Sequence, residues 1–331
     1  MKTHISLVAL AAVALPAASQ ALSFNFTTSG TVPQNVQDAF AQAGQRWSSR
    51  FSDNFTVNVT IGWAALGAGI LGQAGSSTTT MSYSSFTTAL NADKTSGLDN
   101  TAVANLPGNL TFLTNSTSSN GGAIYLDNNG SANNLNVRMN TANAKALGFS
   151  TSGSDASITF SSNFSWDFDP SNGITAGQYD LVGVATHEIG HALGFTSGVD
   201  SLAGTSGQSE DNFRLRPTDI FRFSNRAGFG IQRDFVTDQA NKYFSVDGGV
   251  TVGPLFSNGG GAGNDYQASH WKDNLGIGIM DPTAAPGELM AISQNDIDMF
   301  DAIGYDVVPE PFTMVGLGLA ALAVARRKRN S

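Results

Sequence analysis

Residues 178–194 read QYDLVGVATHEIGHALG, and this stretch decides the fold. Its apolar residues recur at the spacing of one helix face. They are Leu181, Val182, Ala185, Ile189, Ala192 and Leu193. Gly194 follows, where glycine is favoured at the end of a helix. We therefore predict a helix over residues 178–193, with an apolar side in the core and a polar side that carries chemistry.

The polar side of this helix contains His187, Glu188 and His191. Residues i and i+4 lie about one turn apart on the same face, so both imidazoles can reach one metal ion. A catalytic zinc takes three protein ligands, and a carboxylate beside the open position can accept a proton from water. We predict His187 and His191 as ligands and Glu188 as general base. A chance match with two structural histidines is disfavoured, because the chain has only four histidines.

The identity of the third metal ligand does not follow directly from the helix motif. In the pattern H-E-x-x-H-x-x-G-x-x-H, Gly194 matches the glycine, but Ser197 stands where the last histidine belongs. His4 lies in a segment that we expect to be removed, which leaves His270 as the remaining imidazole. An Asp or Glu ligand in place of His270 stays open, because carboxylates also bind zinc.

Three motifs together resemble a known family. They are HEIGHALGF at 187–195, SHW at 269–271 and IMDP at 279–282. This order is similar to the leishmanolysin-like zinc metallopeptidases, metzincins whose third histidine lies far along the chain. The likeness extends over residues 180–305, and no motif of the family is recognisable before residue 157.

The resemblance implies a fold, a cofactor and roles. The fold would be α+β, a metzincin-like two-lobed zinc peptidase with an active-site helix and a loop-rich C-terminal lobe. Zn²⁺ would be held by His187, His191 and His270, with Glu188 as the base, and the substrates would be proteins or peptides.

The resemblance also implies a Met-turn, a methionine in a tight turn under the metal. Met280 is the better candidate, because Gly278 and Pro282 favour a turn around it, and Met290 is the second candidate. Core packing is the alternative role for either methionine. Pro282 stands where some metzincins carry a tyrosine that assists the reaction, so the residue that stabilises the oxyanion stays unassigned.

Both ends of the chain are typical of targeting segments. Residues 1–21 combine Lys2, an apolar run at 5–15 and a small-residue cleavage site at 19–21, as in a secretory signal peptide. Residues 308–331 begin with VPEP, continue with a short apolar stretch and end in an Arg cluster. This order resembles the PEP-CTERM signal of Gram-negative bacteria. It implies a short transmembrane helix, an exosortase-type processing partner, and export to the cell envelope or the extracellular space.

Composition excludes several classes of protein. The 331 residues include no cysteine, so disulfides and a cysteine nucleophile are excluded. A net charge of -9, with 17 basic against 26 acidic residues, offers no basic surface for nucleic acid.

The rest of the chain gives weaker signals. We predict a helix at residues 33–50, strands at 55–61 and 157–160, and strands and loops over 76–140. Residues 127–130 and the pair Asp167 and Asp169 could supply calcium ligands, but neither completes a calcium loop, so turns are favoured. The acidic residues of the last helix are predicted to form its polar side. They are Asp296, Asp298 and Asp301.

These observations divide the chain into four parts: a signal peptide at 1–21, a catalytic lobe at 22–194 that ends with the zinc helix, a C-terminal lobe at 195–307, and a sorting tail at 308–331. The predicted function is that of a secreted zinc endopeptidase. The alternative is a non-catalytic binding protein of the envelope or matrix whose metal only stabilises the fold.

Overall fold

A computed structural model describes residues 22–115, 122–202, 207–259 and 266–309. The predicted signal peptide and the tail from residue 310, with its expected membrane helix, lie outside these ranges. Within them, no helix combines the length and the apolar character that a membrane span requires.

The described residues form helices and separate sheets, consistent with the predicted α+β class. The strands are β1 Ser23–Ser29, β2 Thr56–Ala64, β3 Gly72–Ser76, β4 Thr78–Ser82, β5 Phe112–Thr114, β6 Tyr125–Asp127, β7 Asn136–Asn140, β8 Ala156–Ser161, β9 Trp166–Asp167, β10 Tyr179–Asp180, β11 Arg222–Arg226, β12 Gly230–Phe235, β13 Lys242–Phe244 and β14 Leu255–Phe256. The helices are α1 Gln34–Ser48, α2 Tyr83–Asp93, α3 Gly97–Ala104, α4 Ala132–Leu135, α5 Thr141–Ala146, α6 Leu181–Leu193, α7 Pro217–Ile220 and α8 Gln294–Ala302.

One sheet positions the motif helix. Its order is β1-β2-β8-β3, with β1, β2 and β8 parallel and β3 antiparallel at the edge. Helices α1 and α6 pack together, and α6 also lies along β3. Phe40 of α1 meets Phe160 of β8 edge to face at 5.1 Å in the core. The predicted helix at 33–50 and the strands at 55–61 and 157–160 are confirmed with shifts of a few residues.

A second sheet joins segments from both sides of α6 in sequence. Its order is β14-β13-β11-β12-β5-β6. Strands β5 and β12 run parallel, with Leu113 opposite Asp234. Strands β5 and β6, which precede α6, therefore share a sheet with strands that begin more than 25 residues after that helix.

The stretch 76–140 contains helices that the Ser/Thr-rich composition did not predict. Helix α2 buries Tyr83, Phe86 and Leu90, which have helical spacing, and Ser82 caps its start by accepting from Ser85 N at 3.0 Å. Burial of this face overrides the weak helix propensity of the serines and threonines around it.

Helix α6 begins at Leu181, three residues later than predicted. Tyr179 and Asp180 pair with β9 instead, and Asp180 Oδ1 accepts from Gly183 N at 2.7 Å as the N-cap. The helix ends at Gly194, whose φ of 128° lies in the region that favours glycine.

Candidate metal centre

Three histidines from two distant segments meet in one place. His191 Nε2 lies 3.0 Å from His187 Nε2 and 3.1 Å from His270 Nε2. These side chains form the one group of three metal-ligating residues that comes together among the described residues. The structure thus brings His270 to the pair on α6 across 79 residues of sequence.

The other ring nitrogen of each histidine faces a backbone carbonyl. His187 Nδ1 lies 2.8 Å from the Ile279 carbonyl, and His191 Nδ1 lies 2.8 Å from that of Phe195. His270 Nδ1 lies 3.2 Å from the Gln267 carbonyl. A carbonyl only accepts hydrogen bonds, so each Nδ1 carries the hydrogen and each Nε2 presents a lone pair.

The three lone pairs fit a cation. Neutral imidazole acceptors about 3 Å apart repel one another, whereas a metal ion with Zn–N bonds of about 2.0–2.1 Å accommodates such a spacing. Burial lowers the pKa of His187 to about 4 and that of His191 to about 3, and it also lowers the pKa of His270 well below its usual value. All three rings are therefore neutral near pH 7, the form that binds metal.

Glu188 lies beside this centre, and burial raises its pKa to about 8. Its carboxylate faces Gly72 of β3, where a Cβ would lie 3.3 Å from Glu188 Oε1. No described residue donates a hydrogen bond to the carboxylate. The Glu188 oxygens are therefore free to bind a proton or a ligand in the cleft.

The segment after α6 holds the third histidine in place. Ser197, at the position of the missing third histidine of the short motif, donates from its N to Ser269 Oγ at 2.9 Å. Asp200 accepts from Ala268 N at 2.6 Å and from Ser269 N at 3.0 Å. These bonds fix the backbone immediately before His270, so this histidine lies next to α6 although 79 residues separate it from His191.

Met280 occupies a tight turn against α6. Asp281 N donates to the Gly278 carbonyl at 3.2 Å, which closes the turn around Ile279 and Met280. Met280 is fully buried, and a Cβ added at Gly190 would lie 2.4 Å from its Sδ. The turn also supplies the Ile279 carbonyl that orients His187.

Met290, the second candidate for that role, lies apart from this turn. It lines the cleft, and its N donates to Asp180 Oδ2 at 3.2 Å. Its carbonyl accepts from Arg46 Nη1 at 3.1 Å. Met290 therefore connects the start of α6 to α1, and Pro282 also lines the cleft.

Asp296 is the residue near the centre that the sequence did not reveal. The expectation that it belongs to the polar side of the last helix is wrong, because its side chain is fully buried. Asp296 accepts from Trp271 Nε1 and from Ile279 N, each at 2.8 Å. One carboxylate thus joins the residue after His270 to the turn that orients His187. A single Asp on an amphipathic helix carries no signal for such a role.

An open cleft of about 830 Å³ contains the three histidines and Glu188. Strand β3 and the residues that precede it form one wall, and residues 281–284 contribute to the lining. The centre is thus accessible to a ligand much larger than water.

The calcium-like sequences form hydrogen-bonded turns. Asp167 accepts from Asp169 N at 2.9 Å and from Thr175 N at 2.8 Å. Asp127 accepts from Asn133 Nδ2 at 2.7 Å. Neither is part of a group of three His, Asp or Glu side chains that could share one ion among the described residues.

The contact between Gly190 and Met280 gives a first prediction. We expect Gly190→Ala to lower the free energy of unfolding by about 1–3 kcal/mol, because the new methyl group overpacks a filled core. Gly97→Ala is a matched control, since Gly97 is also helical and a Cβ at that position would meet nothing within 4 Å. Urea unfolding measures both. Equal stability of the two variants would contradict the close packing of Met280 on α6.

Comparison with protein-family profiles, with curated proteins and with solved structures finds no match to this chain. Function is therefore inferred from the site itself.

Proposed function

We propose that this chain is a zinc-dependent endopeptidase. The observation that carries the proposal is the convergence of three neutral imidazole Nε2 atoms, with the buried Glu188 next to them, in an open cleft. A purely structural metal site has closed coordination and needs neither an open cleft nor an adjacent base.

His187, His191 and His270 would hold the ion through Nε2. Three nitrogen ligands with a remaining open position are typical of catalytic zinc. When bound, zinc lowers the pKa of water to about 7 and polarises a carbonyl oxygen. The carbonyls that accept from each Nδ1 hold the rings in orientation, as the outer partners of ligating histidines do.

Glu188 would move the proton. One of its oxygens would accept the proton of the attacking water and would then donate it to the leaving nitrogen. Because water itself attacks the peptide carbonyl, no covalent enzyme intermediate forms.

Strand β3 would hold the substrate. It lies at the edge of its sheet and along the cleft, so its outer backbone groups can pair with an extended peptide. Gly72 at the start of β3 leaves space for Glu188 next to that peptide.

The same proposal includes the leishmanolysin-like, metzincin-like two-lobed architecture, with Met280 as the Met-turn residue. Burial of Met280 against Gly190 supports this role. Export to the envelope or beyond, with an exosortase-type enzyme acting on the tail, is part of the proposal on the terminal sequences alone.

The rival function is a binding protein with a metal-stabilised fold. Incubation of the purified mature chain with an unfolded protein, with and without a chelator, separates the two. We expect cleavage that the chelator stops and that added zinc restores. If the zinc-loaded chain leaves every member of a broad peptide library intact, the binding-protein function is favoured.

A further inference from the structure

The cleft contains a cation that the proposed hydrolysis does not use. Arg216 lines the cleft, and its Nη1 donates to Asn140 Oδ1 at 3.0 Å. Asn140 Nδ2 donates in turn to the His191 carbonyl at 2.7 Å. The guanidinium is thus connected to a metal-centre residue through two hydrogen bonds.

A second arginine lies beside it. Arg138 Nε donates to Thr78 Oγ1 at 3.0 Å, and Thr78 lines the same cleft. Arg138 N also donates to the carbonyl of Leu215, the residue before Arg216, at 3.0 Å. Burial and then the charge of Arg138 lower the pKa of Arg216, while Asp219 and Asp200 act in the opposite direction.

Neither arginine forms an ion pair with a described residue. The ion pairs within the described ranges are Lys145–Asp155, Arg226–Asp234, Arg226–Asp238 and Lys242–Asp238. The two acidic groups that act on Arg216 already accept several hydrogen bonds. Asp219 accepts from Gly198 N and Arg216 N, each at 2.8 Å, and Asp200 holds the segment before His270. Arg216 is only partly exposed and lines the cleft, so in a chain with more acidic than basic residues its lack of a carboxylate partner requires an explanation. The exposed Arg138 adds a second positive charge close to it.

The position of the two arginines along β3 supplies an explanation. Gly72, at the start of this strand, lies against Glu188, and Ser76 at its end lies 3.5 Å from the His191 carbonyl through its Oγ. The four steps from Gly72 to Ser76 span about 13 Å along the strand. The arginine pair adjoins the Ser76 end, because Asn140 contacts the same His191 carbonyl. A peptide that follows β3 would therefore bring one of its side chains to the two guanidinium groups.

We propose that Arg216 and Arg138 form an anion subsite that selects peptides with an Asp or Glu side chain near the cleaved bond. The inference rests on the proposed peptidase function. Guanidinium groups bind carboxylates through two parallel hydrogen bonds, which fixes geometry as well as charge.

Amidated peptides that differ only in Glu or Gln at one position test this subsite. We expect kcat/KM to be about 10- to 100-fold higher with Glu at one fixed position, as a charged hydrogen-bonded pair provides. Arg216→Gln should bring the Glu-to-Gln ratio to about one, and Arg216→Lys should restore part of it. Arg50→Gln, at an exposed arginine outside the cleft, should keep the full ratio. A Glu-to-Gln ratio near one in the unmodified protein would overturn the proposal. A high ratio that persists in both Arg216→Gln and Arg138→Gln would overturn it as well.

A binding measurement separates this inference from the proposed function. Fluorescence anisotropy with zinc-loaded Glu188→Gln should show about tenfold tighter binding of the Glu peptide, which weakens as salt is raised. If the Glu peptide binds more tightly but the unmodified protein cleaves nothing, the peptidase proposal is wrong and the anion subsite remains supported. If the unmodified protein cleaves the Glu and Gln peptides equally well, the anion subsite is wrong and the peptidase proposal remains supported. Equal binding of Glu and Gln peptides, with a gain only from a free C-terminal carboxylate, would overturn the choice of an acidic side chain.

Discussion

Glu188→Gln should lose about 10²- to 10⁴-fold in kcat on any peptide that the unmodified chain cleaves, because the variant lacks the proton acceptor for water. The amide has nearly the same shape as the carboxylate, so the space against Gly72 stays filled. The loss should fall on kcat rather than on KM, since the residues that would hold the peptide along β3 are unchanged.

Two measurements make this result specific. Zinc content should stay near one per chain in Glu188→Gln, because Glu188 has no ligand role in the proposal. Asp281→Asn is a matched control, since it also removes one acidic group from the lining of the cleft but leaves the base in place. If the Gln variant cleaves at the unmodified rate, another group activates water and the assignment of Glu188 is wrong.

His270→Ala should lose both the metal and the activity. Three Nε2 atoms converge on the proposed ion, and removal of one leaves two nitrogen ligands from α6 alone. We expect zinc occupancy, measured by elemental analysis after dialysis, to fall below a tenth of the unmodified value. Metal binding contributes to folded-state stability by mass action, so zinc should also raise the melting temperature of the unmodified chain and leave that of the variant nearly unchanged.

The control for this experiment lies next to the ligand. Gln267→Ala removes a side chain of the same segment but retains the backbone carbonyl that faces His270 Nδ1. Its zinc content should match that of the unmodified chain. If His270→Ala retains its full zinc content, the third ligand is not His270. A carboxylate of the cleft would then be the candidate, which is the alternative that the sequence left open.

The sequence predicted those parts of the fold that depend on local periodicity. Helix α6 and its two histidines follow from spacing alone, because the i, i+4 relation is a property of the helix. The helices of the Ser/Thr-rich stretch were missed because their stability comes from burial of residues such as Phe86 against distant parts of the chain.

The sequence predicted those site residues whose residue type is rare in the chain. The small number of histidines indicates His270 without any geometry, since the predicted mature chain offers no other imidazole. Asp296 could not be found this way, because aspartates are common and its role depends on burial and on contacts with Trp271 and the turn before Met280. The same holds for Arg216, whose lack of an acidic partner is a property of three-dimensional neighbours.

The hydrogen bonds that Asp200 accepts from the backbone N–H groups of residues 268 and 269 also bear on how such a chain can evolve. They anchor both ends of the intervening stretch close to the metal centre, so the number of residues between the anchors does not set the distance from His191 to His270. Surface turns within that stretch, such as the one between β11 and β12, can then gain or lose residues while the ligand geometry persists. Fixed spacing between the second and third histidines is therefore a poor criterion for detecting related chains. We expect a chain that keeps this geometry to combine an acidic residue shortly after the helix with a Ser-His dipeptide downstream.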